Sequence, residues 1–160
     1  MVNGKKTNVR DVMRGIETVG NKTTFKEVLT QMISKKTNSL IVIDEEGKFV
    51  GMVNARTLIQ KSVPSYLGAD TTAAHFVNET IFKEEVEKVA NESVEKIMDE
   101  NVMTVKANES LMKAAMIVSS GNQVRIPVLD EENRPIGLLT RTELKQVIGL
   151  FLGIKGCFTE

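Results

Sequence analysis

The feature of this sequence that most constrains its fold is an internal repeat. Val42–Glu46 reads Val-Ile-Asp-Glu-Glu, and Val128–Glu132 reads Val-Leu-Asp-Glu-Glu. The offset between these two segments also separates Gly51 from Gly137. Matches held in one register over such a span indicate two copies of one supersecondary unit.

The first copy carries local signals for alternating helices and strands. Thr24 and Glu27 form the pattern of a capping box, which starts a helix. Two β-branched runs, 40–43 and 49–53, flank an acidic turn that contains glycine and therefore predict a β-hairpin. A second helix is predicted to begin near Thr57.

The second copy repeats this order. Ser110 precedes an apolar helical stripe, and Gly121 supplies a C-terminal stop. Runs 126–129 and 136–139 predict a hairpin, and a final helix is predicted from Glu143. Each copy is thus a β-α-β-β-α unit, and the fold class is α+β. One such unit is too small to bury its sheet alone, so we expect the two to cover each other.

The repeat divides the chain into three parts. We predict a first motif at 8–61, a connector at 62–92 and a second motif at 93–154. In the connector, Phe82, Val86 and Val89 have the spacing of a short amphipathic helix.

Composition narrows the function classes. Lys plus Arg and Asp plus Glu are balanced at 21 each, so bulk charge favours no nucleic-acid partner. The N-terminal residues lack the apolar core of a secretory signal, and the apolar run at 147–154 is too short to cross a membrane. We therefore expect a cytoplasmic protein with no membrane partner.

The ordered motifs resemble the cystathionine-beta-synthase-type (CBS) family. Its pattern is a short helix ending in Met, a Thr-Val pair, a helix, a strand ending in Asp, and Gly-apolar-apolar-Thr-x-x-Asp. The second copy matches with Val94–Met98, Thr104-Val105, Ile126–Asp130 and Gly137–Glu143. The first copy matches with Val9–Met13, Thr18-Val19, Leu40–Asp44 and Gly51–Thr57.

This resemblance implies two motifs related by a pseudo-two-fold axis, which usually dimerise. It also implies a regulatory, non-enzymatic module that binds AMP, ADP, ATP or S-adenosylmethionine between the motifs. It implies that the module requires no cofactor, and it leaves open a protein partner that the module regulates. In the family, the Asp of Thr-x-x-Asp accepts hydrogen bonds from the ribose, and the Thr reaches phosphate.

The resemblance also implies two ligand sites. The better site comprises Thr140, Arg141, Thr142 and Glu143 with Ile16, Glu17, Thr18 and Asn38. The weaker site comprises Asn54, Arg56 and Thr57 with Val102, Met103, Thr104 and Val124.

Both copies depart from the family at the ribose position. Glu143 keeps a carboxylate there, whereas Thr57 offers only a hydroxyl. The alternative function is therefore a dimerisation or protein-interaction module whose ligand sites have decayed.

Several of these candidate residues also have a simpler structural explanation. Thr140 and Glu143 also have the spacing of a helix capping box. Arg141 and Arg56 are equally typical of solvated surface arginines. His75 and Cys157 have no neighbouring metal-ligand pattern, so we expect neither a catalytic residue nor a metal site. The apolar run at 147–154 exceeds one helical stripe, which favours a homodimer.

Overall fold

The computed structural model of the protein describes residues 8–68 and 71–158, apart from the side chain of Ala74. The first copy contains α1 (Val9–Val12), β1 (Thr18–Gly20), α2 (Phe25–Lys35), β2 (Ser39–Ile43), β3 (Phe49–Asn54) and α3 (Ala55–Lys61). The helix α4 (Glu79–Val89) follows. The second copy contains β4 (Val105–Lys106), α5 (Leu111–Ser119), β5 (Arg125–Leu129), β6 (Pro135–Thr140) and α6 (Arg141–Phe151). The α+β class and the order β-α-β-β-α in each copy are confirmed.

Helices α2 and α5 begin where the sequence predicts, whereas α3 and α6 begin two residues earlier than predicted, at Ala55 and Arg141. Thr24 caps α2, and its partner Glu27 completes a capping box. Ser110 caps α5, and Gly121 adopts the left-handed conformation, with φ of 79°, shortly after that helix ends. The side chains of Thr24 and Ser110 satisfy backbone N–H groups that the first turn of a helix leaves without partners.

Each copy forms a three-stranded sheet, in the orders β1-β2-β3 and β4-β5-β6. The first two strands of each sheet are parallel, with Val19 opposite Val42 and Val105 opposite Val128. Strands β5 and β6 are antiparallel and place Arg125 opposite Thr140. Thr140 ends β6 and also caps α6, so the strand passes directly into the helix.

The chain folds as two compact units that do not coincide with the two repeat copies. The C-terminal unit contains the described residues up to Ile16, Glu46–Phe49 and the described residues from Asn101 onward. The central unit contains Glu17–Glu45 and Val50–Glu100. The first helix of copy one is thus part of the unit built on the sheet of copy two, and the start of copy two is part of the other unit.

Each unit has its own apolar core. In the C-terminal unit, Val9 and Val12 of α1 are buried with Val128 and Leu139 of the sheet. In the central unit, Val94 and Ile97 are buried with residues of β2 and α2. The segment 94–96 forms a short 3-10 helix there. We call α1 and residues 94–97 the exchanged segments, because each packs on the sheet of the other copy. Each contributes apolar surface that this sheet buries.

The segment predicted as a connector adds three helical pieces to the central unit. Short 3-10 helices occupy Ser65–Leu67 and Thr71–Phe76, and α4 packs beside α3. Within the described ranges, no helix has both the length and the apolar character that a membrane span requires.

Candidate functional site at the start of helix α6

The first turn of α6 is organised around Glu143. The Glu143 Oε2 accepts hydrogen bonds from the Thr140 backbone N–H at 2.8 Å and from the Thr140 hydroxyl at 2.5 Å. The Thr140 hydroxyl oxygen in turn accepts from the Thr142 N–H at 3.1 Å. Glu143 is only 7% exposed. The capping interpretation of this pair is therefore confirmed, and its role in binding a ligand stays a prediction.

Arg14 supplies a positive charge beside this carboxylate. Its main chain pairs with Leu138 of β6, each N–H donating to the other carbonyl at 3.0 Å. Its guanidinium Nη1 lies 4.0 Å from the Glu143 Oε1, and its side chain is 57% exposed. A carboxylate and a guanidinium thus stand together at the end of β6.

The other members of the better predicted site are divided between the units. Arg141 and Thr142 are exposed on the first turn of α6, and Ile16 is half-buried in the same unit. Glu17, Thr18 and Asn38 belong to the central unit.

In the central unit these three residues have well-defined local partners. The Glu17 carboxylate lies 3.8 Å from the Lys35 ammonium. The Thr18 carbonyl accepts a hydrogen bond from the Gln31 side chain at 3.1 Å. The Asn38 carbonyl accepts from the Ala55 N–H at 3.0 Å, which joins it to the start of α3.

The first turn of α3 differs from that of α6. Asn54 caps α3, and its Oδ1 accepts from the Thr57 N–H at 3.0 Å. The Thr57 hydroxyl lies 3.4 Å from the same oxygen. Arg56 is exposed on this turn. The first turn of α3 therefore carries an amide and one hydroxyl, whereas the first turn of α6 carries a carboxylate and a hydroxyl.

The remaining members of the weaker site lie in the C-terminal unit. Gln123 holds Met103, because its amide nitrogen donates to the Met103 carbonyl at 2.7 Å and its Oε1 accepts from the Met103 N–H at 2.8 Å. Val102, Thr104 and Val124 are half-buried, whereas Met103 is 48% exposed.

Sequence reasoning missed Arg14 and Gln123. The repeat marks the position of Arg14, because Arg14 follows Met13 in the first copy as Asp99 follows Met98 in the second. Its proximity to Glu143 depends on the pairing of residue 14 with β6, which no local pattern reveals. Gln123 gave no signal, because its two hydrogen bonds to Met103 are made to backbone atoms 20 positions away.

A separate open groove of about 620 Å³ lies in the C-terminal unit, lined by residues of the turn between β2 and β3 and of the turn between β5 and β6. Its lining includes the ion pairs Lys48–Glu46, at 2.9 Å, and Arg134–Glu132, at 2.7 Å. None of the predicted site residues lines it. Among the residues that the structure describes, no cluster of three or more His, Cys, Asp or Glu side chains is placed to hold a metal ion.

Lowered carboxyl pKa values occur elsewhere in the chain. The pKa of Glu27 is lowered mainly by a hydrogen bond from the Thr24 N–H, and that of Asp130 mainly by one from the Arg134 N–H. The pKa of Glu109 is lowered mainly by a hydrogen bond from the Lys113 ammonium. Helix caps, turns and surface ion pairs account for these shifts.

The chain is similar to known sequences over most of its length. The chain is 26% identical over 144 residues to a CBS domain-containing protein of Dictyostelium discoideum, covering 89% of this chain and 92% of that protein. It is 23% identical over 160 residues to an uncharacterized protein of Methanocaldococcus jannaschii, covering 92% and 94%. Another uncharacterized protein of that organism is 24% identical over 136 residues, which is 85% of this chain but only 27% of the relative.

Solved structures share the fold. CBSX2, a CBS-pair protein from Arabidopsis thaliana, superposes with a TM-score of 0.73 at 22% identity, covering 93% of this chain and 99% of that one. A structure of CBSX2 in complex with AMP gives a TM-score of 0.68 at 23% identity, with coverage of 92% and 99%. The CBS domain pair of protein MJ0100, in complex with 5'-methylthioadenosine and S-adenosyl-L-methionine, gives 0.63 at 21% identity, with coverage of 91% and 98%.

The sequence profile of the CBS domain matches this chain twice, at residues 9–63 and 94–149. These matches cover both copies of the repeat and most of the residues in the two sheets. The chain belongs to the CBS domain family and carries two CBS domains in tandem.

Proposed function

We propose that this protein is a regulatory module that senses an adenosine-containing ligand of the class of AMP, ADP, ATP or S-adenosylmethionine. The observation that carries the proposal is the first turn of α6, where a buried carboxylate, a hydroxyl and a guanidinium occur together. Glu143, Thr140 and Arg14 supply these groups.

The chemistry of this turn suits a nucleotide. The Glu143 Oε2 serves the helix cap, so its Oε1 is the oxygen proposed to accept from a ribose hydroxyl. A carboxylate is a strong acceptor for such donors. Arg141 and Thr142 are exposed on a helix start, where N–H groups and the helix dipole favour an anion such as phosphate. Ile16 is proposed to contact the ligand base from the same unit.

The central unit is proposed to bind more weakly. Asn54 and Thr57 are hydrogen-bonded to each other at the start of α3 and carry no negative charge for a ribose diol. Arg56 is the cation available on that turn. The AMP and S-adenosyl-L-methionine complexes of the two solved relatives support the ligand class.

A second candidate function is an interaction module that assembles through an apolar surface. Five side chains of the C-terminal unit, all more than half exposed, form what is here called the α5–α6 face: Met112, Met116, Ile148, Phe151 and Leu152. Exposed apolar surface of this kind marks contact sites. We propose that a second copy of this chain covers the face, giving a homodimer, and that the protein acts in the cytoplasm on a protein partner.

A thermal-shift series with AMP, ADP, ATP and S-adenosylmethionine tests the ligand-sensing function. A ligand at about 100 times its Kd stabilises the folded state by about 2.7 kcal/mol, which raises Tm by roughly 5–10 °C for a chain of this size. The absence of any shift at millimolar concentrations of all four would reject this function and leave the interaction module as the better explanation.

A further inference from the structure

The two repeat copies carry opposite charges at one equivalent position. Arg14 follows Met13 and pairs through its main chain with Leu138, with both N–H···O distances at 3.0 Å. Asp99 follows Met98 and pairs in the same way with Met52, at 2.8 and 3.0 Å. Leu138 and Met52 are themselves equivalent residues of the repeat. The same backbone bridge therefore presents a cation in the C-terminal unit and an anion in the central unit.

The charge difference extends to the neighbouring helix starts. Arg14 stands beside Glu143, the residue that replaces the family's ribose aspartate in α6. The equivalent residue of α3 is Thr57, which has no charge. The C-terminal unit thus combines a carboxylate with a guanidinium, whereas the central unit has Asp99 and a hydroxyl.

The arrangement of Arg14 leaves its guanidinium suited to bind an anion. The distance of 4.0 Å to the Glu143 Oε1 allows charge attraction but exceeds hydrogen-bonding range. The side chain is 57% exposed, so the contact with Glu143 contributes little to stability and can be exchanged for another. The main chain of Arg14 is fixed by its two hydrogen bonds to β6, which limits where the side chain can reach.

We propose that Arg14 is the specificity-determining residue that makes the α6 site select phosphorylated over uncharged adenosine ligands. A guanidinium presents two parallel N–H donors to phosphate oxygens, which an ammonium or amide cannot match. In the central unit the equivalent residue is Asp99, and an ionised carboxylate has no hydrogen-bond donor to offer phosphate. This inference rests on the proposed function, and it assigns anion recognition to one of the two CBS domains.

Titration calorimetry with AMP and with adenosine measures this selectivity. The Arg14→Gln substitution is expected to weaken AMP binding by about 10- to 100-fold, since a charge-assisted hydrogen bond is lost. Adenosine affinity should stay within about twofold, because adenosine has no phosphate. Arg14→Lys keeps the charge and should retain AMP binding within about tenfold of the unmodified protein. An equal loss for AMP and adenosine would overturn the inference, since it would indicate a structural role.

Asp99→Asn is the matched variant at the equivalent position of the repeat. Removing the negative charge there should leave AMP binding at the α6 site unchanged, because that site is in the C-terminal unit. Unchanged Tm values in the absence of ligand establish that both variants are folded. A loss of AMP binding on Asp99→Asn would contradict the assignment of phosphate recognition to the C-terminal unit.

Inorganic pyrophosphate separates this inference from the proposed function. If pyrophosphate binds the unmodified protein and not Arg14→Gln, while AMP and adenosine both fail to bind, Arg14 is an anion site and the adenosine function falls. If AMP binds the unmodified protein and Arg14→Gln with equal affinity, the function stands and the inference falls. Absence of binding by all three probes rejects both.

Discussion

Met98 lies against Gly51 so closely that a Cβ atom on residue 51 would come within 2.9 Å of the methionine sulfur. Met13 lies against Gly137 in the same way, with its Cγ 2.8 Å from the equivalent point. Each methionine comes from one repeat copy, and each glycine comes from the other. The family's Met and Gly motifs are thus two sides of one contact, which joins the exchanged segment to the sheet that it completes.

We predict that Gly51→Ala destabilises the protein by about 1–3 kcal/mol, the usual cost of overpacking a filled site. The new methyl group would also meet the Asp99 carbonyl oxygen at 2.8 Å, and backbone cannot move aside as a side chain can. Urea unfolding followed by circular dichroism measures the change.

Gly15→Ala is the control, because nothing lies within 4 Å of a Cβ at that position. This variant should change stability by less than about 1 kcal/mol, and a rise is expected from the smaller entropy of the unfolded chain. Equal destabilisation by both alanines would show that the contact with Met98 is not the cause.

Because each exchanged segment packs on the other copy's sheet, a core substitution in it should destabilise that sheet. Val9 and Val94 are fully buried, each in the unit built on the other copy's sheet. Val9→Ala should cost about 2–3 kcal/mol and lower hydrogen-exchange protection in β5 and β6. Val94→Ala should do the same in β2 and β3. Loss of protection in the substituted residue's own repeat copy would contradict this assignment, and the exposed Arg10→Ala is the control.

Substitutions at Glu143 separate its capping role from its proposed ligand role. Glu143→Ala removes both and should cost about 1 kcal/mol of stability and about 10- to 150-fold in AMP affinity. Glu143→Gln keeps an oxygen for the cap and should lose affinity with a smaller change in stability. Thr57→Ala should weaken AMP binding much less.

These affinities are measured well below Tm, so that unfolding does not resemble lost binding. Equal losses from Glu143→Ala and Thr57→Ala, or a larger loss from the latter, would show that the α3 site is the principal one.

Acid should weaken the fold partly through Glu109. Hydrogen bonds from Lys113 and from the Lys106 N–H lower its pKa below the ordinary value of 4.5. Its stabilisation is therefore fully present above about pH 4.5 and is lost as the pH falls through the lower folded-state pKa. Glu109→Gln should flatten the dependence of the urea midpoint on pH in this acidic range. An undiminished slope would contradict the prediction, and the exposed Glu131→Gln is the control.

The α5–α6 face predicts a homodimer. Met116→Glu together with Ile148→Glu places two charges on that face and should give the sedimentation mass of one chain, because burying unpaired charges is costly. Lys145→Glu changes an exposed residue of the same helix and should leave the dimer intact. A mass of one chain for the unmodified protein at micromolar concentration would rule out the dimer.

The sequence by itself determined the elements of this protein. Thr24 with Glu27, and Thr140 with Glu143, mark helix starts because a cap is formed by residues three positions apart. The β-branched runs and the acidic turns between them likewise act over a few residues. Two copies of one ordered pattern then identify the CBS family without reference to any long-range contact.

Only the tertiary structure decided how these elements are shared between the two units. The repeat assigns Val9 to copy one, yet its side chain is buried with Val128 and Leu139 of copy two. The position of Arg14 beside Glu143 follows from the same exchange. Such pairings bring together residues far apart in the chain, and they are decided by which apolar surfaces pack best. Short-range patterns carry no information about that choice, because either sheet could accept a helix with the same apolar spacing.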